Sequence, residues 1–329
     1  MTRPRRGVAL ITALWLVVGI AVVVLQFSIE AKERRLLGIA AAERGVGRAA
    51  ATGALALLQA RIDYALRARS TDGNNVAILR SSDPLLDVDS LYSGTYQIDS
   101  VRVDVKAVDL GTVLNINTLT EAEFKTFFGF ALNDYTLADR IAQSIMDWRD
   151  QDDIPRASGA ERDDYIRAGL LVLPTNSLFR EVEDLALVKG ITPAIFATVR
   201  PYLTTRGGSV INLNTAPAPV LRVLPGMSDA ILAQILSLRA QGRRITSVQQ
   251  VMSSLTAQRP GMARNPAQAE ATARATQQLA SRASVESNQV EFFFTARTAP
   301  QAHPVRLLAV LARAGNGAQR NTSISWKEW

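Results

Sequence analysis

The chain contains no cysteine and only one histidine, His303. Without cysteine it can form neither a disulfide framework nor a thiolate metal site. A single histidine leaves almost no material for Ser-His-Asp catalysis or for a multi-histidine metal centre. His303 stands before a proline, in a turn between two expected strands, and is predicted to be an ordinary surface residue. The composition therefore disfavours these kinds of catalytic and metal site.

The chain also lacks a strong excess of either charge. It has 37 Lys and Arg residues against 30 Asp and Glu residues, a formal net charge of +7. Three of the arginines precede residue 7, and without them the excess falls to +4. A basic excess of this size is weak evidence for a nucleic-acid partner.

An apolar run occupies residues 7–29. Its three polar side chains are Thr12, Gln26 and Ser28. At about 1.5 Å of rise per residue, residues 8–29 can cross the roughly 30 Å hydrocarbon core of a bilayer. The arginines before the run predict a cytoplasmic N-terminus, with the remaining chain on the other side of the membrane. No Ala-x-Ala-like cleavage site follows, so we expect a retained single-pass anchor.

Residues 31–69 continue this run as an alanine-, leucine- and arginine-rich segment with apolar positions at helical spacing. The pattern predicts one long helix whose second half is amphipathic. Four glycines weaken this half by up to about 1 kcal/mol each. Packing of the helix against a sheet would offset that cost.

The strands are expected near residue 100 and at the C-terminal end. Residues 94–108 alternate apolar and polar side chains, with one slip in phase near Ser100 that suggests a bulge. Further strands are predicted at residues 290–296, 305–312 and 323–329. Because an isolated hairpin is marginal, we expect one antiparallel sheet packed on the long helix and interrupted by an insertion. The predicted parts are a leader (1–7), a membrane helix (8–29), the first part of the sheet domain (30–118), a helical insertion (119–286) and the second part of the sheet domain (287–329).

The insertion contains an internal repeat. Leu114-Asn-Ile-Asn-Thr118 and Ile211-Asn-Leu-Asn-Thr215 match at an offset of 97 residues. Asparagine and threonine at these positions can bond the neighbouring backbone and fix the turn into a helix. Each copy is followed by a short helix and a longer one, predicted at residues 121–128, 137–148, 218–224 and 228–239. The insertion is thus expected to be all-helical, with two related modules of the helix-hairpin-helix or SAM-like kind.

The second copy supports an alternative function. Residues 212–236 resemble a helix-hairpin-helix unit, which binds DNA without sequence preference through backbone N–H groups on phosphates. The functional hairpin usually has a second glycine two residues after the first, but here Gly226 is followed by Met227 and Ser228. A membrane-anchored DNA-binding protein is therefore the alternative, and no nucleic-acid partner is expected.

An acidic cluster lies between residues 147 and 164. Its members are Asp147, Asp150, Asp152, Asp153, Glu161, Asp163 and Asp164. Hard oxygen ligands of this kind suit calcium, although the spacing does not fit an EF-hand loop. Gly159 is expected to give the loop freedom to curl. The predicted calcium ligands are Asp147, Asp150, Asp152, Asp153 and Glu161. A solvated acidic loop, with Arg149, Arg156 and Arg162 as counter-charges, is the other interpretation.

Four features together resemble the minor pseudopilin K family of the type II secretion system. They are Arg-Arg-Gly7-Val8-Ala-Leu-Ile-Thr12, Asp147-Trp-Arg-Asp-Gln-Asp-Asp153 with Gly159-Ala-Glu161 and Tyr165, Glu183-Asp-Leu-Ala-Leu-Val-Lys-Gly190, and Ile211-Asn-Leu-Asn-Thr-Ala216. The first is similar to a type IV prepilin leader, which is cut on the cytoplasmic side so that the helix is retained. In most pilins the fifth residue after the cut is glutamate, whereas this chain has Thr12.

The resemblance implies a pilin-like α+β domain with a large helical insertion, in a non-enzymatic protein that caps the tip of a periplasmic pseudopilus and supports protein export. The implied partners are the minor pseudopilins I and J, the major pseudopilin, and the prepilin peptidase that would cleave between Gly7 and Val8 and methylate the new N-terminus. Secreted proteins or the outer-membrane channel are further expected contacts. The resemblance also implies calcium binding.

This resemblance suggests a physical reason for threonine at position 12. In pilins the glutamate is thought to meet the charged N-terminus of the subunit above. A buried carboxylate without that partner would cost several kcal/mol. A subunit with nothing above it is therefore expected to lack the glutamate.

Overall fold

A computed structural model describes residues 6–71, 92–258, 266–299, 301–313 and 320–325. The α-helices in these ranges are α1 Arg6–Thr71, α2 Glu121–Leu132, α3 Tyr135–Arg149, α4 Arg162–Arg167, α5 Pro193–Val199, α6 Ala218–Leu221, α7 Asp229–Ala240, α8 Val248–Gln258 and α9 Pro266–Arg282. The strands are β1 Gly94–Ile98, β2 Val101–Asp109, β3 Leu114–Asn115, β4 Leu203–Thr204, β5 Ile211–Asn212, β6 Ala283–Ser284, β7 Gln289–Arg297, β8 Val305–Arg313 and β9 Arg320–Ser325.

Helix α1 is continuous, as the sequence predicts. Among the described residues it is the helix long and apolar enough to cross a membrane, and its apolar part is exposed. This is consistent with a single-pass anchor. The second half packs on the sheet through Ala50, Ala51, Ala54, Leu55, Leu58 and Ile62.

Gly47 is one of the four glycines in the second half of α1, and its contacts explain why a glycine stands there. A Cβ atom on Gly47 would lie 2.8 Å from Cγ2 of Val305, so the missing side chain permits close contact with the sheet. Gly38 and Gly45 have no neighbouring atom within 4 Å of that position.

Five strands form an antiparallel sheet in the order β1-β2-β7-β8-β9. The predicted bulge near Ser100 was wrong: Ile98 pairs with Val101, so the chain reverses in a two-residue turn. Asp99 takes the left-handed conformation (φ 52°) that such a turn needs. The phase slip in the sequence therefore marks the boundary between two strands. The last strand starts at Arg320, earlier than predicted, and residues 326–329 lie outside the described ranges.

The insertion joins the ends of β2 and β7 and has its own apolar core. The four predicted helices correspond to α2, α3, α6 and α7, and α2 begins with a capping box formed by Thr120 and Glu123. The insertion is mainly helical rather than all-helical, because β3 pairs with β4 and β5 pairs with β6 in parallel. Leu114 and Ile116, assigned to the sheet domain from the sequence, pack in the insertion's core.

The attachment point places the insertion at one particular end of the sheet. Gly47, the first residue of α1 described as buried, faces Val305 and Ala296. The insertion leaves after Asp109 and returns before Gln289. Both attachment points are at the same end of the sheet, because Asp109 pairs with Val290, and this is the end away from Ala296. It therefore lies at the sheet end away from the apolar part of α1. His303 is exposed between β7 and β8, as expected.

Candidate functional site

The acidic loop between α3 and α4 brings three of the predicted ligands together. Asp150, Asp152 and Glu161 each offer one carboxylate oxygen, and these oxygens lie within 4.8 Å of one another. Calcium binds oxygens at 2.3–2.6 Å, so two ligands on opposite sides of the ion are about 5 Å apart. The spacing of the three carboxylates therefore fits a calcium ion.

Glu161 is a buried carboxylate of the loop with a strongly raised pKa. Its side chain is 3% exposed, and neither carboxylate oxygen has a hydrogen-bond partner in the described part of the chain. Burial, together with the charges of Asp147, Asp150, Asp153 and Asp152, raises the pKa of Glu161 to about 7. A buried carboxylate without a partner is costly. A divalent cation would supply the missing partner.

Asp147 is held by Arg156 and lies outside the group of three carboxylates. Its Oδ1 lies 2.5 Å from Nη1 of Arg156, and its Oδ2 accepts a bond from the backbone N–H of Arg156 at 3.2 Å. The same Nη1 lies 2.5 Å from Oδ2 of Asp150. Burial acts to lower the pKa of Arg156, but its bonds to Asp150 and Asp147 outweigh this and raise it. Arg156 therefore supplies a fixed positive charge inside the cluster, and both oxygens of Asp147 are occupied.

Asp153 lies outside the group of three carboxylates. Its Oδ1 accepts a bond from Nδ2 of Asn176 at 3.1 Å, and the same amide donates to the backbone oxygen of Asp152. The contact ties the acidic loop to residues 170–178. Asp163 and Asp164 lie on α4, where Asp164 accepts a bond from the backbone N–H of Glu161.

Gly159 is required for space rather than for the conformational freedom expected from the sequence. A Cβ atom at this position would lie 1.9 Å from Oδ2 and 2.7 Å from Cγ of Asp147. The loop backbone therefore presses directly against the buried carboxylate, and no other residue type fits without movement.

Aromatic side chains pack against one another beside the acidic loop. Trp148 stacks on Phe179 with ring centroids 6.3 Å apart and planes at 2°, and Tyr165 lies at a tilt against Trp148. The hydroxyl of Tyr165 accepts a bond from the backbone N–H of Lys189 at 2.8 Å. Burial raises the pKa of Tyr165 to about 12. Trp148 and Tyr165 are thus core residues.

Two arginines hold the repeat together, a role that the sequence did not predict for either of them. Arg149 donates to the carbonyl oxygens of Ile116 and Leu119 at 2.8 and 2.9 Å. Arg239 donates to the carbonyls of Leu213, at 2.8 Å from Nε, and Ala216, at 2.6 Å from Nη1. The acceptors correspond in the two copies of the repeat. Arg149 interacts electrostatically with Asp150, as its interpretation as a counter-charge of the acidic loop expects, but its hydrogen bonds go to the motif. The signal for this second role was an arginine near the end of the longer helix in both copies.

The second asparagine of each motif acts as a brace. Asn117 exchanges two 2.9 Å bonds with the backbone of Phe179. Asn214 does the same with Ile245 at 2.8 and 2.9 Å. Each side-chain amide forms a pair of hydrogen bonds with the backbone of a distant segment, as the backbone of a strand would. The sequence repeat therefore corresponds to a structural repeat.

The hairpin of the second module is covered. Gly226 takes the left-handed conformation (φ +77°), and a Cβ atom there would lie 3.0 Å from Oε1 of Gln278 and 3.1 Å from the backbone oxygen of Ala275, both on α9. The nearby arginines are paired within the molecule: Arg222 with Asp229, Arg244 with Glu286, Arg274 with Glu270 and Arg282 with Glu123. The hairpin backbone thus faces a helix of the same chain.

Two family models cover the insertion. Both are described as type II secretion system (T2SS), protein K, and they match residues 112–207 and 211–284, which together make up just over half of the chain. The chain belongs to the protein K family of the type II secretion system. The boundary between the two protein K models falls in the linker between the two repeat modules.

Individual relatives agree with this family. The type II secretion system protein K of Dickeya chrysanthemi is 33% identical over 92 residues, which is 26% of this chain and 25% of that protein. The protein K of Pectobacterium carotovorum subsp. carotovorum is 28% identical over 113 residues, 33% of this chain and 34% of that protein. These matches span about a quarter and a third of the relatives' own length.

A solved structure has the same fold. One chain of the GspK-GspI-GspJ complex from the type 2 secretion system of enterotoxigenic Escherichia coli superimposes with a TM-score of 0.52 at 18% identity. The match covers 86% of this chain and 98% of that one. The predicted α+β fold, a long N-terminal helix on an antiparallel sheet, is confirmed.

The raised pKa of Glu161 predicts a pH dependence in calcium-free buffer. Between the ordinary carboxyl pKa of 4.5 and about 7, the folded protein holds one more proton than the unfolded chain. The free energy of unfolding is therefore expected to fall as the pH rises through this window, by about 3 kcal/mol at most. Glu161→Gln should remove this fall, as measured by thermal unfolding in EDTA between pH 4.5 and 7.5.

The control for this prediction is Glu183→Gln, which changes an exposed carboxylate paired with Arg200. Glu183→Gln should keep the pH dependence of the parent protein. Equal slopes for the parent and Glu161→Gln would contradict the account of Glu161. Added calcium should flatten the slope in the parent, because the ion stabilises the ionised carboxylate.

Proposed function

We propose that this chain is a minor pseudopilin of the type II secretion system that caps the tip of a periplasmic pseudopilus and supports protein export across the outer membrane. Family membership supports a role in this system. The E. coli complex of the same fold contains GspK, GspI and GspJ, which supports minor pseudopilins I and J as partners here. The fold is that of a structural component, and we propose no enzymatic activity.

One observation carries the proposal: the insertion sits at the sheet end away from the apolar part of α1. In a fibre built from pilin-like subunits, the N-terminal helices pack together along the axis. An insertion at the far end of the sheet would then occupy the space where a further subunit would have to add above. The chain is therefore suited to the end of a fibre rather than to its interior.

The anchor fits the same account. We propose that prepilin peptidase cleaves between Gly7 and Val8, that the new N-terminus is methylated, and that α1 is stored in the inner membrane with its N-terminus in the cytoplasm and the folded domain in the periplasm. Residues 1–5 lie outside the described ranges, and Thr12 lies on an exposed face of α1. Threonine in place of glutamate suits a subunit with no neighbour above it, and the major pseudopilin would lie below.

The acidic loop is proposed to hold a calcium ion through Asp150, Asp152 and Glu161. Support comes from the spacing of the three carboxylates and from the buried oxygens of Glu161 and Asp150 that have no hydrogen-bond partner in the described ranges. Bound calcium would supply positive charge that fixes the loop. Asp147 would support the site indirectly through its contact with Arg156, and Asp153 would do so through its contact with Asn176.

The acidic loop and residues 170–178, which we call the acidic lobe, offer a contact surface. Ile154, Leu171 and Leu178 are 75%, 100% and 59% exposed, and they lie on the loops that Asn176 joins. Exposed aliphatic side chains grouped on one lobe are typical of an interaction site. We propose this lobe as the place where a secreted protein or the outer-membrane channel would touch the tip.

The alternative of a DNA-binding protein is disfavoured by two observations. Helix α9 covers the hairpin at Gly226, and the arginines beside it are paired within the molecule. Phosphate contact requires exposed backbone N–H groups and free basic side chains. A gel-shift titration at low salt with double-stranded DNA should show no salt-dependent complex.

Co-purification tests the proposed function. The tagged full chain is co-expressed with minor pseudopilins I and J from the same organism and purified in detergent. Stoichiometric recovery of both partners is expected, and an unrelated tagged single-pass protein serves as the control. Absence of I and J from the eluate, under conditions in which I and J bind each other, would overturn the proposal.

A further inference from the structure

The sheet and the insertion are joined by polar contacts. The apolar core of the sheet domain and that of the insertion share no residue in the described ranges. The side-chain hydrogen bonds and ion pairs that cross between them come from carboxylates, amides, hydroxyls and the guanidinium of Arg206. The angle between the two parts is therefore not set by a continuous apolar interface.

Asp109 lies at the centre of this junction. It is the last residue of β2 and is 3% exposed. Its Oδ1 accepts a bond from the backbone N–H of Gly111 at 2.8 Å. Its Oδ2 accepts bonds from Ser287 Oγ at 2.6 Å, Asn212 Nδ2 at 2.9 Å and Thr215 Oγ1 at 3.1 Å. We call Asp109, Asn212, Thr215 and Ser287 the Asp109 cluster; its one carboxylate binds side chains from two separate places in the chain, residues 212–215 and Ser287.

The linker between the two modules is held against the same end of the sheet. Nη1 of Arg206 lies 2.9 Å from Oε1 of Glu291, a buried residue of β7. The backbone N–H of Gly208 donates to Oε1 of Gln289 at 2.7 Å. Between them Gly207 has a φ of +80°, and a Cβ atom there would lie 2.9 Å from Leu110. The linker therefore has little room to move on the sheet.

Both copies of the repeat are attached at this point by equivalent atoms. Nδ2 of Asn115 donates to the carbonyl oxygen of Gly207 at 2.7 Å. Nδ2 of Asn212, 97 positions later, donates to Asp109. The first asparagine of each motif thus connects its module to the junction, whereas the second braces the module internally.

We infer that the Asp109 cluster fixes the angle at which the insertion stands on the sheet. Hydrogen bonds are directional, and buried ones specify a single arrangement more sharply than apolar packing does. The four residues of the cluster belong to neither apolar core. The inference rests on the proposed function in one respect: a cap needs its insertion in a fixed position, and the cluster supplies that.

The test measures the angle directly in the full chain. Because the chain has no cysteine, Lys106→Cys on β2 and Ala233→Cys on α7, both at exposed positions, can carry two spin labels without background. Double electron–electron resonance of the full chain in lipid nanodiscs should give one narrow distance distribution. Asp109→Ala should at least double its width, and Ser287→Ala should broaden it by a smaller amount. Asp104→Ala, which removes a surface carboxylate of the same strand bonded to Thr95, should leave the width unchanged.

A width in Asp109→Ala equal to that of the parent, with circular dichroism unchanged, would overturn the inference. If Asp109→Ala does not fold, Ser287→Ala decides the matter, and an unchanged width in that variant has the same meaning. Failure of the proposed function is a separate outcome, because it would be seen as loss of partners I and J from the parent protein. Where the parent binds them, Asp109→Ala should bind them less well than Asp104→Ala does.

Discussion

Gly159→Ala is expected to lower the free energy of unfolding of the insertion by about 3–5 kcal/mol, as breaking a buried ion pair does. The added Cβ atom would lie 1.9 Å from Oδ2 of Asp147, so either the loop or the carboxylate must move. Movement of Asp147 breaks its contact with Arg156 and displaces Asp150, which shares the same guanidinium. Calcium affinity should fall about ten- to a hundred-fold, the usual effect of disturbing groups that orient metal ligands. Thermal unfolding and calorimetric calcium titration measure the two effects.

Gly208→Ala is the matched control, since the nearest side-chain atom to its new Cβ would be at 3.8 Å, an ordinary contact. This variant should bind calcium with the affinity of the parent. If Gly159→Ala had the stability and calcium affinity of Gly208→Ala, the packing of the loop against Asp147 would not be as described.

Arg149→Ala and Arg239→Ala should each destabilise their own module by about 3 kcal/mol or more. Each substitution removes two hydrogen bonds from a charged donor to the carbonyls of buried residues, a loss of about 1.5–3 kcal/mol per bond. Lysine should not restore either module, because one ammonium group cannot reproduce the two-pronged geometry of the guanidinium. Hydrogen exchange with mass spectrometry locates the loss: Arg149→Ala should expose residues 112–207 first, and Arg239→Ala should expose residues 211–284 first.

Arg140→Ala and Arg243→Ala are the controls, because both side chains are exposed. They should change stability by less than about 0.5 kcal/mol. Equal hydrogen-exchange protection in Arg149→Ala and Arg140→Ala would contradict the structural equivalence of Arg149 and Arg239.

The parts of the fold that could be predicted are those with strong local signals. Uninterrupted helical periodicity predicts α1, and alternation with β-branched and aromatic residues predicts β7 and β8. The repeat is visible because Asn115 and Asn212 stand at the same place in matching motifs. Each of these patterns is contained within a short stretch of chain.

The features that were missed depend on distant contacts. The pairs of β3 with β4 and of β5 with β6 have two residues per strand and leave no pattern in the sequence. The requirement for Gly159 comes from a carboxylate twelve positions away, so it was attributed to flexibility instead of space. Charge counting related Arg149 to the acidic loop, and it does interact with Asp150, but its hydrogen bonds to backbone carbonyls leave no pattern in the sequence.

The candidate site was predicted in composition but not in geometry. All five proposed carboxylates lie in or beside one loop, yet only Asp150, Asp152 and Glu161 have oxygens close enough to share an ion. The difference arises from Arg156 and Asn176, which engage Asp147 and Asp153.

The central claim is that the insertion stands at the end of a pseudopilus, and immunogold labelling tests it most directly. Pseudopili assembled in cells that produce the full chain are labelled with an antibody against residues 119–286 and viewed by electron microscopy. The account predicts gold at one end of each fibre and none along its length. Gold distributed along the shaft, or fibres whose ends carry no label while the chain stays in the membrane, would contradict it.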